Sequence, residues 1–133
     1  MAKAQVPSRE ELEMIRDSVL LPFMLTMVER NVKDLELSTG PLRKLYISAT
    51  QILMDRIHAD LARVNRELRA RNIKVFKDES RMDDDLFYRY ICRGYESTFS
   101  IMREVAKANI SVKMGEEIQR MINDMKTKRT PPA

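Results

Sequence analysis

The stretch DDDLFYRYICRGYESTF, Asp83 to Phe99, gathers three adjacent carboxylates, five of the chain's eight aromatic residues, two arginines and its sole cysteine. Carboxylates hold hard cations, and aromatics interleaved with arginines stack on nucleobases, so both chemistries have to be weighed. A calcium loop spaces its acids at alternate positions, turns on a glycine and closes on a glutamate. Asp83, Asp84 and Asp85 are consecutive, and consecutive side chains diverge. The triplet therefore reads as a solvated loop or an acidic start to an element, and no metal or other cofactor is expected.

The second half of the stretch, RGYESTFSI from Arg93 to Ile101, begins like a conserved strand of the RNA-recognition motif, with a basic residue, a glycine and an aromatic. It departs from that pattern at Glu96, Ser97 and Thr98, of which Ser97 and Thr98 read as the start of a helix. Phe87, Tyr88, Tyr90, Ile91 and Phe99 are accordingly expected in the core, and Arg89 and Arg93 on one face, toward water or an acidic partner. His58 is the sole histidine and has no second ligand type or nucleophile beside it. Cys92 sits in an apolar run, where a thiol behaves as a small hydrophobe. With no glycine-rich phosphate loop and no paired acid and base, the expectation is a protein that is not an enzyme.

Charge layout carries more than any motif. The net formal charge is minus three from Ser8 to Glu36, plus six from Leu42 to Lys77, minus three from Asp78 to Glu96 and plus three from Ser97 to Ala133. Within the basic segment, Arg56, Arg63, Arg66, Arg69, Arg71 and Lys74, followed by Lys77, outnumber the acids, and Arg56, Arg63 and Arg66 fall near one another on a helix surface. Arginine makes paired hydrogen bonds to phosphate, so these six are the candidate phosphate contacts for DNA or RNA, without sequence specificity. The competing reading is that an acidic first helix lies beside the basic second one and neutralises it, each exposed pair contributing about 0–1 kcal/mol.

Four elements must position these residues. Ser8 is a helix N-cap with Glu10 and Glu11 in the first turn, and apolar residues recur at threes and fours to Leu35. Pro22 interrupts this pattern and predicts one kinked helix or two short stacked ones. Between Val19 and Val28 the helix is apolar on most sides. Val19, Leu20, Phe23, Met24 and Met27 are therefore the candidate contacts of a homo-oligomer. Gly40 and Pro41 make a tight turn, and an antiparallel helix follows from Pro41 to about Arg71, stopped by Asn72 in the left-handed conformation. IKVFK and LFYRYIC alternate or run β-branched and aromatic, which predicts a β-hairpin near 73–93 with an eight-residue loop. Gly94 ends the strand, a final helix starts near Ser97 or Thr98, and the basic segment 126–133 is expected as a disordered tail.

The fold class is thus helix-dominated α+β: a long antiparallel helical hairpin, a β-hairpin and a C-terminal helix in a single domain over residues 1–125. At 133 residues the chain has the length of one ordinary domain. Its longest apolar run, VLLPFMLTMV, is ten residues, against roughly 20 needed to span a bilayer, so no membrane partner is expected. One cysteine and no apolar leader predict a cytoplasmic chain.

Read together, ELRARNIKVFKDE and YRYICRGYESTFSIMREVAKANI make the chain resemble the short helical proteins of uncharacterised function in Bacillus-type bacteria and their phages or mobile elements. The resemblance implies a cytoplasmic setting and carries over no functional residue. Two functional classes follow. The first is a small non-catalytic interaction or regulatory protein, homo-oligomeric, whose protein partner the sequence does not identify. The alternative is a nucleic-acid accessory protein using the basic helix over 56–77.

Overall fold

The computed structural model describes residues 5–78 and 86–129, and the Asp83–Asp85 triplet lies outside them. Helix α1 spans Arg9–Leu37 and is started by a reciprocal cap. Ser8 Oγ accepts from the Glu11 backbone N–H at 3.2 Å, and Glu11 Oε1 accepts from the Ser8 N–H at 3.0 Å, satisfying two donors that a helix end leaves open. The helix continues through Pro22 without a break. A proline inside a helix costs about 3 kcal/mol, whereas each buried large apolar side chain contributes about 1.5–3 kcal/mol. Leu20, Leu21, Met24 and Leu25 flank Pro22 on both sides and are all buried, so packing outweighs the missing hydrogen bond.

A turn through Gly40, whose φ of 139° suits glycine, leads to α2 over Arg43–Ala70. The helix starts two residues after Pro41, and its hairpin is tied by the Arg43 guanidinium, which donates to the Glu36 carbonyl at 2.9 Å. Asn72, at φ 58°, stops the helix in the left-handed conformation, as its residue type predicts.

The sheet has one strand more than the sequence pattern predicts. Strand β1 (Ile73–Lys77) pairs antiparallel with β2 (Leu86–Cys92), and β2 pairs with β3 (Tyr95–Ile101) in the order β1-β2-β3. Ser97 and Thr98, expected at a helix start, lie in β3 opposite Tyr90 and Arg89. Arg93 and Gly94 form a two-residue turn with φ of 49° and 91°, the positive values that match the twist of a tight hairpin. Side chains of Tyr95, Ser97, Phe99 and Ile101 then alternate onto the face that carries Cys92, Tyr90 and Tyr88.

Helix α3 covers Arg103–Arg129 and takes in the first four residues of the segment 126–133 expected as a tail, whose last four lie outside the described residues. It buries Ala106, Ile110 and Met121 against the helical hairpin. Lys113 reaches Asp17 of α1, and Arg56 of α2 reaches Glu117 and Asp124. The core joins Ile15, Leu20, Met24 and Val28 of α1 to Ile57, Val64 and Leu68 of α2 and to Ile73, Tyr90, Cys92 and Ile101 of the sheet.

Within one chain, this packing already covers three of the five residues expected at an oligomer contact. Val19, Leu20 and Met24 are at most 4% exposed inside a single chain, because α2, α3 and the sheet cover the apolar stretch without a second copy. Only Phe23 and Met27 stay on the surface, at 37% and 45%. Among the described residues, no helix is long and apolar enough to cross a membrane.

Candidate phosphate-contacting groove

Six basic residues were candidates, and the structure divides them. Arg56 is consumed: its Nε meets Glu117 Oε1 at 2.9 Å and its Nη1 meets Asp124 Oδ2 at 2.8 Å. These bonds, Asp124 first and Glu117 second, hold the guanidinium more firmly charged than usual. Arg71 is consumed as well, lying 3.6–3.7 Å from Glu10, Glu11 and Glu67. The acidic first helix therefore neutralises one residue of the stripe, and α3 neutralises another.

Arg63, Arg66 and Arg69 project from successive turns of α2 into solvent, and Lys74 does so from β1. None of the four makes an ion pair or hydrogen bond among the described residues. At the end of this ridge, α2, β1 and the middle of α1 enclose a groove of about 560 Å³. Arg69, Lys74 and Lys77 supply its positive charge, and Asn65 and Asn72 supply amides. Phe76 and Tyr88 add aromatic surface, and no carboxylate lines the groove among the described residues. The left-handed turn at Asn72 makes this juxtaposition, since it folds Lys74 and Lys77 back beside the last turn of the helix that carries Arg69.

Such a site can hold an anion. Unpaired guanidinium and ammonium groups next to neutral donors suit phosphate oxygens, and the aromatic wall suits a base or sugar face. The sequence reading does not single out Asn65 and takes Asn72 only as a helix stop, because an asparagine beside arginines carries no binding signal until a turn brings the two elements together.

The remaining candidates fall outside the groove. Arg93 and Arg89 do not share a face. Arg93 occupies the β2–β3 turn and binds Glu11, whereas Arg89 lies 4.9 Å over the Phe76 ring and 3.3 Å from Glu96. His58 is exposed, and Cys92 is fully buried, a burial that pushes its thiol up. Tyr88 and Phe99 stack at 5.6 Å inside the sheet's inner face. No group of metal-ligating side chains occurs among the described residues.

The family model of the YhjD protein matches residues 6–122, and the chain belongs to that family. Comparison with curated proteins and with solved structures gives no match.

Proposed function

We propose that this member of the YhjD family acts without catalysis, as a cytoplasmic nucleic-acid accessory protein that holds the phosphate backbone of DNA or RNA along the exit of α2. The observation that supports this reading is the unpaired state of Arg63, Arg66, Arg69 and Lys74, next to a groove free of carboxylates among the described residues. Arg66, Arg69 and Lys74 stand without acidic partners among the described residues, a self-repulsion that a bound anion relieves, while Arg63 also lies in the field of Asp60. Backbone contacts carry no base information, so the binding is independent of sequence. The resemblance to proteins of Bacillus-type bacteria and their mobile elements supplies the setting.

The test is fluorescence anisotropy of labelled duplex DNA, single-stranded DNA and RNA across a salt series. Four phosphate contacts give a slope of log K against log salt of about −3 to −4 on duplex DNA. Absence of binding at low salt removes the proposal.

A second reading rests on a different surface. Leu42, Leu45, Tyr46 and Ile52, at the tip of the helical hairpin, leave 48–60% of their area in water. Such a group of exposed apolar side chains favours self-association of the chain through the hairpin tip, together with or instead of nucleic-acid contact.

A further inference from the structure

At the opposite edge of the sheet from the basic groove lies a second cavity, of about 450 Å³, between the first turns of α1, strand β3 and the first turns of α3. Its walls are mainly apolar, with Leu12 and Ile15 on one side, Phe99 and Ile101 behind, and Met102 and Val105 at the rim. Leu12, Met102 and Val105 leave 44%, 58% and 47% of their surface in water. A concave apolar wall of this size is the usual form of a small-molecule site.

Beside the hydroxyl residues Thr98 and Ser100, the cavity lining includes Asn109 and Arg16, which give the occupant its chemistry. Asn109 turns a buried side-chain amide nitrogen, Nδ2, toward no acceptor, and a buried donor without an acceptor is a cost that native folds rarely carry. Arg16 stands beside it with no ion pair or hydrogen bond among the described residues, while the neighbouring Asp17 is already held by Lys113. No carboxylate lines the cavity among the described residues. A neutral donor and a free guanidinium call for an acceptor with two oxygens and a negative charge, and the apolar walls call for a hydrocarbon body.

We propose that this cavity binds a small hydrophobic carboxylate, with its chain against Leu12, Ile15 and Val105 and its carboxylate shared between Arg16 and the Asn109 amide. An ammonium head is repelled by Arg16 and has no lone pair for Asn109. An alcohol satisfies the amide but leaves the guanidinium with an uncharged partner. The proposal does not depend on nucleic-acid contact at the other edge of the sheet.

Isothermal titration calorimetry of the full chain with octanoate and, separately, with octylamine tests it. Octanoate is expected to saturate one site per chain, and octylamine to bind at least about tenfold more weakly. Arg16→Gln and Asn109→Leu are each expected to weaken octanoate about five- to tenfold. Equal affinity for the two probes, absence of saturation, or unchanged octanoate affinity in both variants overturns the proposal. So does a concentration-dependent dimer that Val105→Arg dissolves, since the occupant is then a second copy of the chain. Circular dichroism shows whether Asn109→Leu folds; if it does not, the selectivity of the unsubstituted protein for octanoate over octylamine decides alone.

Discussion

The Arg93 guanidinium clasps the Glu11 carboxylate through two bonds, Nη1 to Oε2 at 3.0 Å and Nη2 to Oε1 at 2.9 Å. One residue closes the turn between β2 and β3, and the other is the capping-box glutamate of α1, so the pair locks the start of the first helix to a hairpin 82 residues away in sequence. Glu11 is 6% exposed. Removing its partner leaves a buried carboxylate with only Arg71 and the Ser8 N–H, and Arg93→Met is expected to destabilise the fold by about 3 kcal/mol in urea melts. A loss under about 0.5 kcal/mol would show that the clasp is ornamental.

Acid stability follows from the same pair. Hydrogen bonding from Arg93, opposed by burial and assisted by the Ser8 N–H, holds the Glu11 carboxyl at about 2, below its ordinary value of 4.5. Between those two values the unfolded chain takes up a proton that the folded chain refuses. The contribution is therefore complete above pH 4.5 and is lost as the pH falls toward 2, amounting to about 3 kcal/mol. Urea midpoints measured from pH 6 to pH 2 should fall more steeply for the unsubstituted protein than for Glu11→Gln, and parallel curves would sink this account.

Pro22 offers a test in the stabilising direction. It is exposed and lies inside an unbroken helix, where its ring denies the Ser18 carbonyl a hydrogen bond. Pro22→Ala restores that bond without disturbing a buried side chain, and a gain of about 1–3 kcal/mol in thermal or urea unfolding is expected. A loss of stability would mean that the neighbouring core residues need the backbone path that proline imposes.

The division of the basic residues predicts that stability and binding separate. Arg56→Met strips the 5%-exposed side chain of Glu117 of one of its two guanidinium partners while Arg120 remains, and should cost about 2–3 kcal/mol of stability. The paired change Arg66→Glu, Arg69→Glu removes exposed groups without partners, should leave stability within about 0.5 kcal/mol and should abolish the salt-dependent anisotropy signal. If the Arg66 and Arg69 changes unfold the chain instead, those side chains serve the fold and the groove reading fails.

Self-association through the hairpin tip makes its own demand. Sedimentation velocity over a concentration series should show a dimer that Leu45→Glu with Ile52→Glu converts to a monomer of unchanged helicity. A monomer at every concentration in the unsubstituted chain discards the second reading.

Much of this architecture is visible in the residue pattern. Ser8 with Glu11, the apolar repeat of α2, the Asn72 stop and the β1–β2 hairpin all express local chemistry that acts over a few residues. Strand β3 was hidden because Ser97 and Thr98 are good helix caps when read singly. Their neighbours Tyr95, Phe99 and Ile101 declare a strand only when the Arg93–Gly94 turn is seen to carry positive φ at both positions. The basic stripe was legible as charge, but nothing local distinguishes Arg56 from Arg66. The difference is made by Glu117 and Asp124, which lie more than 60 residues downstream in α3.

The long helical hairpin is anchored at one end only. α1 buries its last side chain at Val28 and α2 buries its first at Leu53, so the turns between them carry no fully buried residue. Backbone hydrogen bonds with little tertiary cover open by local fluctuation, whereas those near Leu20 and Ile57 open only when the whole domain does. Amide hydrogen exchange should accordingly grade along each helix, fast around Leu37 and Arg43 and slow toward the sheet. Any partner that settles on the tip would be read as newly protected amides there, at a distance from both cavities.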